Sequence, residues 1–211
     1  MSISIAHQQI TVTDARRFLA EYPKGTVQWY DLARVEAVDG VTLADLGRLA
    51  VINADLTGND AVALLEATDA PWGDVPFDAQ LNDADPEAMG GLYDKASELY
   101  WYFRKLPNIG PAKASKLLHL KRPALYPILD QYVLRFYRSA AREAARLYPR
   151  RAARELYWAA IRQDLLASVP AVARLRDELR AQSDDHSRRL SELTDLRLLD
   201  ICIWKLATGD R

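Results

Sequence analysis

Apolar side chains recur every three or four residues along most of the chain, which is the spacing of amphipathic α-helices. Threonine, asparagine or aspartate precedes several of these runs, and these residues favour the N-cap position of a helix. The pattern predicts N-terminal helices that begin at Thr11 or Thr13, at Thr42, and at Asn59 or Asp60.

The second half of the chain shows the same helical spacing. Helices are predicted to begin near Asp130 and near His186. A helix break is predicted near Pro170, because proline lacks the amide that a helix interior needs. Only residues 3–10 and 26–30 alternate in the manner of strands. The predicted fold class is therefore all-α.

Composition divides this single unit, residues 1–211, into three parts. Residues 69–86 contain three prolines and five aspartates and are predicted to form a loop. We expect an acidic helical part over residues 1–85, a basic core over residues 86–154 and C-terminal helices over residues 155–211, arranged in one or two lobes.

The charge of the chain is unevenly distributed, although the whole sequence carries 28 basic and 29 acidic side chains. Residues 1–103 carry 6 basic and 17 acidic side chains, residues 104–154 carry 13 and 2, and residues 155–211 carry 9 and 10. A block of positive charge such as residues 104–154 indicates a polyanionic partner such as nucleic acid. The sequence therefore predicts that any nucleic acid binds at the middle of the chain.

Arginines recur at helical spacing within the basic block. Arg138, Arg142 and Arg146 follow one another every four residues, so they form a stripe along one face of a predicted helix. The stripe either binds phosphates or is a solvated face that pairs with the acidic N-terminal part. Both interpretations stay open at the level of sequence.

A tight turn between two helices is predicted over residues 106–111, which place proline, asparagine and glycine between apolar runs. Asn108 and Gly110 both tolerate a positive φ. Such a turn leaves the first amides of the second helix without intrahelical partners, and these amides together with the helix dipole form a site for one phosphate. Lys113 and Lys116 lie on one side of this helix, within reach of neighbouring phosphates.

Residues 104–136 resemble the helix-hairpin-helix DNA glycosylase superfamily, whose endonuclease III-like and MutY-like members carry the hairpin Leu-Pro-Gly-Val-Gly. This chain has Asn108 in place of the first glycine and Ile109 in place of the valine. Asp130 follows Gly110 by twenty residues, the step that leads to the catalytic aspartate of the family. The match continues around Asp130 with Pro127, Ile128, Leu129, Val133 and Arg135.

The resemblance implies a glycosylase-like helical fold, double-stranded DNA as the partner, and cleavage of an N-glycosidic bond with Asp130 as the catalytic carboxylate. A fixed carboxylate stabilises the positive charge that develops on the sugar. A role as a helix N-cap alone would also explain Asp130, and this alternative stays open. The residues expected to contact nucleic acid are Asn108, Gly110, Ala112, Lys113, Lys116, Lys121, Arg122 and Arg135.

Departures from the family narrow the expected activity. Ala112 stands where bifunctional members place the lysine that forms a Schiff base, so any activity should be monofunctional. Cys202 is the only cysteine, whereas an iron-sulfur cluster needs four thiolates. Residues 52–55 are the nearest counterpart of the family's base-flipping wedge, but they include an aspartate. We expect no cofactor and no metal site, apart from the monovalent cation that hairpin carbonyls can hold in the family.

Base excision also needs an aromatic residue that stacks on the flipped base and an acid that protonates the leaving base. Trp101 lies off the apolar stripe of its predicted helix, and it is the aromatic residue that we expect to stack on a flipped base. The acid that protonates the leaving base could be Asp31, Glu36 or Glu98.

Three functional hypotheses remain at this stage. The first is a monofunctional DNA N-glycosylase, the second is a helix-hairpin-helix DNA-binding module without chemistry, and the third is a structural or protein-interaction domain that does not bind DNA. No apolar run is long enough to span a bilayer, and the N-terminus lacks the pattern of a secretion signal. We therefore expect a cytoplasmic protein without a membrane partner, and the sequence does not indicate its oligomeric state.

Overall fold

The computed structural model describes residues 1–209 and is mainly helical, in agreement with the predicted all-α class. Buried apolar side chains from the first strand to the last helix form one hydrophobic cluster. None of the helices within residues 1–209 is long and apolar enough to cross a bilayer. The strands and α-helices are β1 (Ser2–Ile5), β2 (Gln8–Thr11), α1 (Val12–Ala20), α2 (Lys24–Thr26), α3 (Leu43–Val51), α4 (Gly58–Leu65), α5 (Leu92–Arg104), α6 (Pro111–Lys121), α7 (Gln131–Phe136), α8 (Arg138–Leu147), α9 (Tyr157–Arg180), α10 (Asp185–Leu190) and α11 (Asp195–Thr208).

The N-terminal residues form an antiparallel hairpin of β1 and β2, in which Ile3 is paired with Ile10. The Asp164 carboxylate of α9 accepts a hydrogen bond from the amide of Ala6 at 2.7 Å, and this contact anchors the hairpin turn on α9. The predicted strand over residues 3–10 is therefore confirmed as two short strands.

The second predicted strand, over residues 26–30, is wrong. These residues belong to the end of α2 and to a π-helix over Val27–Asp31. Val27 and Tyr30 are both buried, a spacing of three residues rather than the two of a strand. The Tyr30 hydroxyl donates to the carbonyl of Lys116 at 2.7 Å, so packing against α6 decides the local conformation.

Three N-terminal helices begin with the same capping box, in which a threonine caps the helix and an aspartate three residues later binds back to it. Thr11 and Thr42 are confirmed as predicted caps. Helix α4 begins after Thr57 instead of at Asn59 or Asp60, because Asp60 is the third residue of the box rather than the cap. The predicted loop over residues 69–86 is confirmed and contains two short 3₁₀ turns.

The C-terminal part differs from the prediction at two points. Helix α9 continues through Pro170 without the predicted break. It packs against β1, α8 and α11, and Leu165, Ala171 and Val172 on both sides of the proline are buried, so tertiary packing outweighs the lost helix hydrogen bond. The last predicted helix is divided into α10 and α11, because Thr194 caps a new helix.

The helices that surround the site converge from distant parts of the sequence. Helix α6 packs against α5 and α3, and α11 packs against α1, α7 and α9. Hydrogen bonds of α6 with Leu129 and with the carbonyls of Ile52 and Asn53 place the hairpin helix beside the segment before α7 and the end of α3.

Candidate functional site

The hairpin between α5 and α6 has the geometry of an amide-lined turn. Asn108 has a φ of 60°, in the left-handed region that asparagine tolerates. Gly110 has an ordinary φ of −75°, so the turn does not use the positive φ that glycine tolerates. Pro111 occupies the first helical position, and among residues 1–209 no side chain caps α6. The first-turn amides of Ala112 and Lys113 are therefore free to bind an anion.

Asp130 is the N-cap of α7 and uses only one of its oxygens for this role. Its Oδ1 accepts the amides of Tyr132 and Val133, each at 2.9 Å. No hydrogen bond to Oδ2 is formed by any of residues 1–209. A carboxylate held at one oxygen by two amides keeps the other oxygen available, so capping and chemistry do not exclude each other here.

The segment that leads to Asp130 is fixed by side chains from two other helices. The amide of Ile128 donates to Asp200 Oδ1 of α11 at 3.0 Å, and the amide of Leu129 donates to Ser115 Oγ of α6 at 3.0 Å. Both acceptors are buried. The position of Asp130 relative to the hairpin is therefore set by the core rather than by a flexible loop.

A cavity of about 640 Å³ joins the hairpin to Asp130. Its walls are mostly apolar, and its residues come from the hairpin helix, the start of α7, the end of α3, residues 22–26 and α11. A cavity of this size and lining suits a small organic ring system. Among the lining residues are Asn53, Ala112, Lys116, Asp130, Asp200 and Trp204.

A buried polar network lines the cavity on its α11 side. The Arg197 guanidinium donates to Asp31 at 2.8 Å, to Asp200 at 2.5 Å and to the Tyr22 hydroxyl at 2.5 Å. Burial raises the pKa of Asp200 to about 6 against the opposing effect of Arg197, and the charge of Asp130 adds to the rise. The charges of Asp130 and Asp200 are thus electrostatically coupled across the cavity.

Arg197 and Asp200 were not among the residues predicted from the sequence. The sequence feature that could have identified them is a pair of opposite charges in the otherwise apolar run of α11. The two residues are three positions apart and lie on the same buried side of the helix. The sequence proposed Asp31, Glu36 or Glu98 as the acid. Asp31 lies on the far side of Arg197 and lines a smaller neighbouring cavity of about 150 Å³. Glu36 and Glu98 are exposed and do not line the Asp130 cavity.

Lys113 and Lys116, which were expected to reach phosphates, point into the protein instead. Lys113 Nζ pairs with the buried Asp60 carboxylate at 2.7 Å, and this hydrogen bond is the main reason that the pKa of Asp60 falls to about 2. Lys116 Nζ donates to the carbonyls of Ile52 and Asn53 at 2.7 and 2.8 Å. Burial lowers the pKa of Lys116, which lines the cavity wall near Asp130.

The prediction that Lys121 and Arg122 contact nucleic acid is wrong. Lys121 is fully buried and forms an ion pair with Asp45. Arg122 is 1% exposed, donates to the carbonyls of Val75 and Val38 at 3.0 and 2.8 Å, and lies over the Trp72 ring. Both side chains hold the N-terminal part onto α6 and have no access to a ligand.

The two remaining predicted contacts are exposed but lie apart from one another. Arg135 is exposed in the last turn of α7. Trp101 is 55% exposed but lines a different groove, with Glu98 and Lys105, so the structure does not bring it to Asp130. The exposed aromatic residue at the Asp130 cavity is Trp204 of α11.

The backbone carbonyls of the hairpin already contact positively charged side chains of the protein. The Arg104 guanidinium donates to the carbonyl of Ile109, and Lys113 Nζ lies 3.3 Å from the carbonyl of Asn108. These contacts compete with the monovalent cation that the resemblance implies. Over residues 1–209, no group of three or more His, Cys, Asp or Glu side chains could hold a metal ion.

His119 of α6 gives this region a predictable pH response. The ring is buried, its Nδ1 lies 2.7 Å from the Tyr126 carbonyl, and burial lowers its pKa to about 3. The unfolded chain has an ordinary histidine pKa of about 6.5. Because the unfolded state alone binds a proton between these values, stability present above about pH 6.5 is lost as the pH falls toward 3, by about 1.4 kcal/mol per pH unit.

Chemical denaturation over this pH range measures the effect. We expect the unfolding free energy of the wild type to fall more steeply than that of the His119→Gln variant, whose amide keeps a donor for Tyr126. Equal slopes for the two proteins would show that His119 is not held neutral in the folded state.

A family model described as "Family of unknown function (DUF6308)" matches residues 11–207. The chain belongs to the DUF6308 family. No curated protein and no solved structure matches it. The range that defines DUF6308 in this chain contains the hairpin, Asp130 and every residue that lines the cavity.

Proposed function

We propose that this DUF6308 protein binds duplex DNA through its hairpin and hydrolyses the N-glycosidic bond of an extrahelical nucleotide with Asp130. The observation that carries the proposal is that Ala112 of the hairpin helix and Asp130 line the same cavity. A phosphate on the free hairpin amides would place the attached nucleotide at the mouth of that cavity. The resemblance of residues 104–136 to helix-hairpin-helix DNA glycosylases supports the same assignment.

The cavity supplies the environment that base removal needs. Its apolar walls and Trp204 suit the faces of a base. As the C1′–N bond breaks, positive charge develops on the sugar, and the anionic Oδ2 of Asp130 stabilises it. The base leaves with the electron pair of the C1′–N bond and takes a proton from solvent. A water molecule adds to C1′, gives its proton to solvent or to the carboxylate, and leaves an abasic site.

Within residues 1–209, Asp200 is the only other carboxylic acid that lines the cavity. Both of its oxygens already accept hydrogen bonds, one from Ile128 and one from Arg197. We therefore assign Asp200 to positioning: it fixes the chain two residues before Asp130 and holds Arg197 in place.

The proposed activity is monofunctional. Ala112 offers no amine, and Lys116 is the only lysine that lines the cavity in the part of the chain that the structure describes. Its Nζ already donates to the carbonyls of Ile52 and Asn53, so an attack on the sugar would require Lys116 to leave both hydrogen bonds. We expect base release without cleavage of the DNA strand.

A second function is favoured by a separate observation. The acidic N-terminal part pairs with the lysines of the hairpin helix through Asp60 and Asp45, which removes two charges from the surface. This arrangement fits a structural or protein-interaction domain that does not bind DNA, in which Asp130 only caps α7.

Duplexes that each contain one damaged or modified base test the proposal. We expect at least one of them to gain abasic sites, seen as strand breaks after alkali and not before it. Duplex binding without abasic sites across the panel would instead support a DNA-binding module without chemistry. Absence of duplex binding at low salt would support a structural or protein-interaction domain. A covalent adduct trapped by borohydride would contradict the monofunctional assignment.

A further inference from the structure

Most of the exposed positive charge of the basic residues 104–154 lies on α8 and its flanking segments rather than on the hairpin helix. Residues 131–154 contain seven arginines and one glutamate. Arg151 turns inward and pairs with Asp94, and the other six arginines are exposed. By contrast, Lys113, Lys116 and Lys121 of α6 are all bound by groups of the N-terminal part.

Helix α8 presents its arginines on one face because its opposite face is packed. Ala140, Ala141 and Ala144 are buried, and α8 packs against α9. Arg138, Arg142 and Arg146 follow at four-residue steps, so their Cα atoms lie about 6 Å apart along the helix axis. Arg135 precedes them at the end of α7. We call these four residues the α8 arginine surface.

We propose that the α8 arginine surface binds the phosphate backbone of duplex DNA beside the nucleotide held at the hairpin. This inference rests on the proposed function for the identity of the partner. Charge complementarity carries it: a row of guanidinium groups opposes a row of phosphates, and arginine binds phosphate oxygens in a bidentate manner. Asp130 caps α7 and α8 begins at Arg138, so chain continuity places the arginine surface next to the cavity.

Glu155 restrains this surface in the absence of DNA. Its Oε1 lies 3.1 Å from Arg142 and 3.8 Å from Arg138, and its Oε2 accepts the Tyr157 hydroxyl at 2.7 Å. The Tyr157 hydrogen bond and then the Arg142 contact lower the pKa of Glu155, so it stays anionic at neutral pH. A phosphate must compete with this carboxylate for two arginines. Removal of its charge should therefore strengthen DNA binding.

The chain offers a matched control pair on α9. Arg174 and Glu178 are 57% and 29% exposed and lie 3.0 Å apart, compared with 56% and 28% for Arg142 and Glu155 at 3.1 Å. Both pairs are surface ion pairs of the same kind, but the Arg174 pair lies outside the proposed surface.

Binding of a short duplex as a function of KCl concentration tests the inference. We expect Arg142→Ala to lower the slope of log K against log salt by about 0.9, the value for one lost phosphate contact. Glu155→Gln should raise the affinity, and Arg174→Ala and Glu178→Gln should leave both quantities unchanged. Circular dichroism checks that each variant is folded.

The outcomes separate this inference from the proposed function. If Arg142→Ala and Arg174→Ala changed the salt slope equally while duplex binding and base release stayed intact, the proposal for the α8 arginine surface alone would be overturned. Absence of duplex binding by the wild type would overturn both. Loss of binding to anionic vesicles in Arg142→Ala, with an unchanged duplex slope, would overturn DNA as the occupant of this surface.

Discussion

Asp130→Asn should lower the rate of base release by at least about 100-fold while the protein stays folded and keeps its affinity for duplex DNA. Asparagine is as good an N-cap as aspartate, so the amides of Tyr132 and Val133 keep their acceptor. The variant removes the negative charge that faces the cavity and nothing else. Single-turnover base release with a substrate identified in the lesion panel measures the effect.

Asp184→Asn is the matched control for this variant. Asp184 caps α10 through the amide of Ser187 at 2.9 Å, and it does not line the cavity. We expect its activity to equal that of the wild type. If Asp130→Asn retained activity within a few-fold of the wild type, Asp130 would be a helix cap only.

Lys121→Met should destabilise the protein by about 3–5 kcal/mol without changing the duplex affinity of the molecules that are folded. The variant fills the same space but leaves the Asp45 carboxylate buried without its main partner; Arg48, at 3.5 Å, is a weaker one. Urea denaturation measures the loss, and the salt dependence of binding measures the contact with DNA.

The double variant Lys121→Met/Asp45→Asn is the control for this prediction. It removes the uncompensated charge, and the asparagine side chain keeps an acceptor oxygen for the Thr42 amide, so we expect it to recover part of the lost stability. A fall of about 0.9 in the salt slope of folded Lys121→Met protein would show that Lys121 binds a phosphate after all.

Local signals in the sequence predicted the elements on which the site is built. The threonine caps at residues 11 and 42, the turn before α6 and the N-cap at Asp130 all depend on neighbours within three residues. Such contacts can be read from a short stretch of chain. The loop over residues 69–86 is predictable for the same reason.

Long-range contacts explain where the sequence was misleading. The lysines of α6 look like phosphate ligands, but Lys121 meets Asp45 from 76 residues away and Lys113 meets Asp60 from 53 residues away. Asp60 was predicted only as a possible helix start and Asp45 was not singled out, because nothing local shows that either residue binds a lysine. The cavity itself was not predictable, because Asp200 and Asn53 reach Asp130 only through tertiary packing.

The most direct test of charge stabilisation by Asp130 needs no knowledge of the damaged base. It compares the binding of two duplexes, one with a protonated pyrrolidine ring and one with a neutral tetrahydrofuran ring in place of a single deoxyribose. If Asp130 stabilises a positively charged sugar in the cavity, the wild type should bind the pyrrolidine duplex about 100-fold more tightly or better, and Asp130→Asn should lose that preference. Equal affinity of the wild type for the two duplexes would contradict the proposed role of Asp130.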